Sequence, residues 1–171
     1  MTLVAGIGVV AVTTASKPLL GTENATCRSP EPGPAVEVVV EGLKDRRGTL
    51  RLELYPPNDD DFLGDDAQLV RAGKAFRRID ESVPQSGPVS ICLRAPAPGR
   101  YSLVLLHDRN GDLKFNAFSD GAGFPGNPRL GLSKPKAAAA VADVPEGVIT
   151  LHIRLNYWRG LSFGPLRHPE G

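Results

Sequence analysis

A surplus of charge of one sign is missing from this sequence: 20 basic residues face 19 acidic ones, for a formal charge of +1. Proteins that bind nucleic acid usually carry a clustered basic excess, because phosphate contacts release counterions. Nucleic acid is therefore not an expected partner, and the balance gives no reason to expect an anionic membrane. The basic pairs Arg46–Arg47 and Arg77–Arg78 read as solvated strand ends. Cysteine is scarce, at two residues. Structural zinc usually takes four ligands, and no histidine pair stands near either cysteine, so the two cysteines make a poor zinc site. No Gly-rich loop leads into a helix, which removes nucleotide binding. A Gly-x-Ser-x-Gly elbow is also missing, and there is no internal repeat.

Long apolar runs are missing too. Leu3–Val12 (LVAGIGVVAV) is short of the ~20 residues that a transmembrane helix needs. Followed by the small residues Thr13, Thr14, Ala15 and Ser16, it has the form of a signal-peptide core and cleavage region over residues 1–15. A basic residue ahead of the run is lacking. The expected address is periplasmic or secreted, with no integral membrane segment after cleavage. Cys27 and Cys92 fit that address as a disulfide, the alternative being two unpaired thiols.

What the chain has in quantity is turn formers. Its 19 Gly and 16 Pro break helices and favour a β-rich domain, and 41% hydrophobic with 23% charged residues is the balance of a soluble globular protein. Residues 16–34 form a lead-in that is Pro-rich at 28–34, and 35–157 carry the strand patterns. In 35–43, Val36, Val38 and Val40 share one face; in 49–55, Leu50, Leu52 and Leu54 do the same. Such alternation marks half-buried antiparallel strands, and the two predict a hairpin. Residues 59–73 read as loop with helical turns, and 75–83 as a strand. Val89, Ile91 and Leu93 point inward from the next strand, which turns Cys92 outward. A bridge to Cys27 would then pin the lead-in over the outer face of a sheet.

The strand 100–108 is apolar on both faces from Leu103 to Leu106, so it belongs at the centre of a sheet. Residues 137–144 and 149–157 complete the set, and the tail 158–171 reads as irregular. About seven short strands with frequent turns predict an all-β antiparallel sandwich.

The segment 107–116 (HDRNGDLKFN) is the most informative about chemistry. Asp108, Asn110 and Asp112 alternate, Lys114 has a carbonyl to offer, and Asn116 and Asp120 follow. Calcium takes six to eight oxygen ligands, and such a loop supplies them around a tight curve. Leu113 stands where Gly would permit the sharp turn, and Ser119 where a bidentate Glu belongs. The alternative is a metal-free turn, since Asn110–Gly111 is itself a hairpin signal. No other cofactor is expected.

Gly99-Arg-Tyr101, His107-Asp108 with the acidic loop, Gly123-Phe-Pro125 and Gly131-Leu-Ser133 resemble a family of exported bacterial proteins, domain of unknown function 2141. Arg47–Tyr55 and Phe62-Leu63 are similar as well, so the likeness covers roughly 35–157. It implies a sandwich of the immunoglobulin or transthyretin kind, with His107, Gly123, Pro125, Gly131 and Ser133 as structural loop residues. It implies no activity.

His107, Asp108 and Ser133 include the residue types of a hydrolase. Adjacent strand residues face opposite ways, however, which separates His107 from Asp108. The leading expectation is a non-enzymatic module that binds a protein or glycan through the long loops of 107–135. A calcium-stabilised adhesion module and a small hydrolase are the alternatives.

Overall fold

Period-2 patterning becomes strand pairing along most of the chain in the computed structural model, which describes residues 25–166. The expected signal peptide lies outside the described residues. Among the described residues ten strands form: β1 Ala35–Glu41, β2 Thr49–Tyr55, β3 Arg77–Ser82, β4 Ser90–Arg94, β5 Gly99–Asp108, β6 Gly121–Gly123, β7 Val141–Val144, β8 Val148–Arg154, β9 Asn156–Trp158 and β10 Phe163–Pro165. One short α-helix, α1 Asp66–Arg71, is capped by the Asp65 carboxylate, which accepts the Gln68 N–H at 2.8 Å.

Two sheets pack face to face. The smaller has the order β4-β1-β8; the larger runs β10-β9-β6-β5-β2-β3, with β7 also paired to β5. Between them lies the main core, drawn from Val36, Val38, Ile91, Leu93 and Ile153 on one side and Leu50, Leu52, Leu54, Leu103 and Leu105 on the other. The molecule is an all-β sandwich.

Several expectations need correction. β1 and β2 do not form a hairpin, because residues 42–48 carry the chain from the small sheet to the large one. Their apolar faces meet across the core instead. Alternation reports which face is buried and leaves open which strand lies alongside. The small sheet is mixed, since β1 runs parallel to β8. Residues 137–140 form a 3₁₀ turn ahead of β7. The tail is not wholly irregular, because Phe163–Pro165 folds back onto β9.

β5 is central, as its two-sided apolar character requires. It pairs with β2 along one edge, and with β7 and then β6 along the other. Its second face meets a second core, where Val104 packs with Tyr55, Phe62, Leu69, Phe76, Ala122 and Phe124. Tyr55 sits edge-on to Phe62 and Phe76, at 5.7 and 5.2 Å between ring centroids. The segments 56–76 and 122–140 thus cover what strand alternation alone assigns to solvent.

Cys27 and Cys92 are bridged. Next to the bridge, Glu31 accepts the Thr26 and Cys27 N–H groups at 2.8 and 3.0 Å and pairs with Arg94. The lead-in is thereby tied to the outer face of β4. A bridge over 65 residues removes chain entropy worth roughly 4 kcal/mol from the unfolded state. Replacing both cysteines by serine is expected to lower stability by about 2–4 kcal/mol and Tm by about 6–12 °C. Calorimetry of the oxidised protein and the double variant checks this, and equal melting temperatures would contradict it.

Candidate functional site

β5 ends by sending two adjacent side chains to opposite faces, and each organises one side of the loop end. His107 turns inward and is fully buried. Its Nε2 lies 2.8 Å from the Arg47 carbonyl, and its Nδ1 lies 2.8 Å from the Tyr157 hydroxyl. A carbonyl only accepts, so Nε2 carries the proton and the Tyr157 O–H donates to a bare Nδ1. The same hydroxyl accepts the Lys44 N–H at 3.1 Å. One neutral imidazole thus holds the 44–47 turn against β9. Burial lowers the pKa of His107, with the Arg47 carbonyl and Asp45 opposing that shift and Arg109 adding to it. The Tyr157 phenol is pushed up, also mainly by burial.

The turn at 47–48 fits only because residue 48 is glycine. Its φ is +74°, and a Cβ there would lie 2.0 Å from the Asp108 carbonyl oxygen. Beside it the Arg109 guanidinium pairs with Asp45 and donates to the Ser119 carbonyl at 2.9 Å. By donating to the Asp45 carboxylate, Arg109 holds that carboxyl below the usual carboxylate range.

Asp108 turns outward and builds the 108–120 loop. Its two carboxylate oxygens accept the N–H groups of Gly111 and Leu113, at 2.8 and 2.7 Å. Asp120, also buried, accepts from Arg109 and Ser119 on one oxygen and from the Asn116 N–H on the other. Asn110 donates to Asp112, Asp112 accepts the Lys114 N–H, and the Asn116 side chain accepts the Phe118 N–H. These side-chain oxygens are spent on the loop's own backbone, as in a chain of Asx turns. Among the described residues no three His, Cys, Asp or Glu side chains group as cation ligands. Leu113 adopts a left-handed φ of 61°, a conformation that costs a non-glycine residue roughly 1–2 kcal/mol.

The other motif residues divide by role. Gly123 is a packing position: a Cβ there would lie 2.6 Å from Ile153 Cγ2 and 2.8 Å from the Arg154 carbonyl oxygen. Pro125 is buried behind it. Gly131 and Ser133 are exposed, and they overhang a cavity of about 500 Å³ on the outer face of the large sheet. Ser133 and His107 are not brought together, since His107 faces the opposite side of the sheet.

The cavity is a feature that strand patterns do not reveal. Its floor is the outward face of β2, β5 and β6, with Val104, Leu106 and Ala122 beside Arg51, Glu53 and Tyr55. Phe124, Leu63 and Leu130 wall it, and Phe115 and Phe163 stand at its edge. The charged floor is paired internally. Arg51 Nε bonds Asp80 at 2.6 Å, while Glu53 accepts from Arg78 Nε and from the Tyr55 hydroxyl, both at 2.6 Å. Burial first, and the adjacent Glu53 carboxylate second, push the Tyr55 phenol up. Sequence alternation marks Arg51 and Glu53 as solvent-facing. The available signal was the two-sided apolar run 103–106, which requires a cover over this face.

A family model described as "Uncharacterized protein conserved in bacteria (DUF2141)" matches residues 38–152, within the span carried by the sequence motifs. The chain belongs to this family. No curated protein and no solved structure matches it. The DUF2141 span includes His107, Asp108, Gly123, Pro125, Gly131 and Ser133, and it ends before Tyr157, the hydroxyl partner of His107.

The neutral His107 makes a prediction about pH. Its folded pKa lies below the ordinary 6.5, so the unfolded chain takes up the proton first as pH falls. The contribution is complete above pH ~6.5 and declines below it, by at most about 1.4 kcal/mol per pH unit, until the folded pKa is reached. Melting temperature is expected to fall between pH 7 and 5 more steeply in the native protein than in His107→Gln. Parallel profiles would contradict the assignment of a neutral, buried imidazole.

Proposed function

We propose that this protein is an exported, non-enzymatic module that binds a small, largely apolar ligand in the cavity beneath residues 130–135. One observation carries the reading. The long loops after β5 and β6 close over the outer face of the large sheet and leave about 500 Å³ lined mainly by apolar side chains. Pockets for small molecules run to ~300–1,000 Å³, with an apolar lining and a few polar groups. The loops expected to bind a protein or glycan are these same loops, and a half-open, largely apolar cavity beneath them favours a smaller ligand.

Export is supported by the Cys27–Cys92 bridge, which persists in an oxidising compartment, together with the apolar run at Leu3–Val12. Among the described residues, no helix is long and apolar enough to cross a membrane. The non-enzymatic reading is supported by the pairing of the acids and bases. His107 is hydrogen-bonded on the core side, and Asp108 and Asp120 hold backbone N–H groups.

N-Phenyl-1-naphthylamine, a neutral dye that brightens in apolar surroundings, tests the cavity directly. Saturable binding at one site per chain is expected. Ala117→Trp, which adds an indole to the lining, is expected to weaken it at least about tenfold while leaving Tm within a few degrees. Non-saturable binding, or equal binding by this variant, would overturn the reading.

A further inference from the structure

We infer that the ligand is a single-chain amphiphile with an anionic headgroup, its head at Lys134 and its hydrocarbon chain over Val104, Leu106 and Leu130. This inference rests on the cavity's being a binding site, and it adds the chemical class of the occupant.

Charge selects the head. Arg51 has all its guanidinium nitrogens engaged: Nε and Nη2 on Asp80 at 2.6 and 3.3 Å, and Nη1 on the Leu113 carbonyl at 3.0 Å. Glu53 is held between Arg78 and the Tyr55 hydroxyl. Breaking the Glu53 bonds to receive a ligand would leave a buried carboxylate and the buried Tyr55 hydroxyl unsatisfied. Lys134 is different. It lines the cavity and is exposed, and the Asp59 carboxylate whose field it shares is ion-paired with Lys136 at 3.1 Å. Its ammonium stands 5.9 Å from the centroid of the Phe62 ring, beside the second core. The charge that the cavity has left to offer is therefore positive.

Apolar surface selects the body. The lining contains more hydrocarbon than a small polar metabolite would use, and it continues beyond the cavity. Phe115 at the edge lies 6.4 Å from Phe163, which lies 5.9 Å from Trp158, which lies 5.3 Å from Phe118 between ring centroids. Phe118 and Leu132 remain 74% and 78% exposed. Contiguous exposed apolar surface rimmed by polar residues marks a binding groove more often than an ordinary surface. A flexible hydrocarbon chain uses both the half-open cavity and this strip, and burial of each methylene adds to its affinity.

The test uses the oxidised chain and four probes below their micelle concentrations: decanoate, decyl phosphate, decanol and decyltrimethylammonium. Trp158, the single tryptophan, reports by fluorescence, with displacement of the neutral naphthylamine dye as a second readout. Both anions are expected to bind at least about tenfold more tightly than the quaternary ammonium, and the tighter anion names the head as carboxylate or phosphate. Lys134→Gln is expected to weaken the anions about three- to tenfold, and Lys134→Glu to reverse the preference. Equal binding of all four probes, or anion binding unchanged in Lys134→Glu, overturns the inference while the cavity reading stands. Failure of every probe, the dye included, overturns both.

Discussion

The burial of β5 on both faces is the constraint on which the rest of the molecule depends. Leu103 and Leu105 enter the core between the sheets, and Val104 enters the second core on the far side. Backbone hydrogen bonds to β2, β6 and β7 satisfy the strand's edges, but only side chains can cover its second face. The smaller sheet covers one face; irregular segments cover the other. Irregular segments carry Gly, Pro and polar groups that do not pack as tightly as a second sheet. A cavity at their meeting place is the physical consequence.

The end of β5 then sets the walls of that cavity. His107 and Asp108 are neighbours in sequence and opposite in direction, so one strand end anchors two turns at once. His107 reaches the Arg47 carbonyl and the Tyr157 hydroxyl, while Asp108 gathers the N–H groups of Gly111 and Leu113. Both anchors are buried, where a polar group left unpaired is costly, and the loop conformation is accordingly well determined. Phe115 is thereby carried to the cavity edge. The acidic residues that resemble a cation loop act as a backbone template.

Much of this was legible in the sequence. Alternating apolar residues assigned buried faces in β1, β2 and β4, and the apolar run 103–106 assigned the central strand. The outward direction of Cys92 followed from the same alternation, and the bridge to Cys27 agrees with it. Strand neighbours were not legible, because a period of two is silent about what lies beside a strand; hence the misplaced β1–β2 hairpin. The floor of the cavity was hidden for a related reason. Arg51 and Glu53 have the residue types of a solvent face, and only the distant segments that bring Phe62, Phe124 and Leu130 over that face make it interior. The role of Tyr157 was equally hidden, since its partner is 50 residues away in sequence.

The central claim is that the outer face of the large sheet is roofed by the segment around Leu130, and methyl-resolved NMR of the oxidised protein tests it most directly. The account predicts nuclear Overhauser contacts from the Leu130 methyls to the methyls of Leu106, with Leu130 shifted away from its random-coil position by the nearby rings. Random-coil Leu130 methyls with no such contacts, in a sample whose Leu103 and Leu105 methyls still report a folded sandwich core, would contradict it.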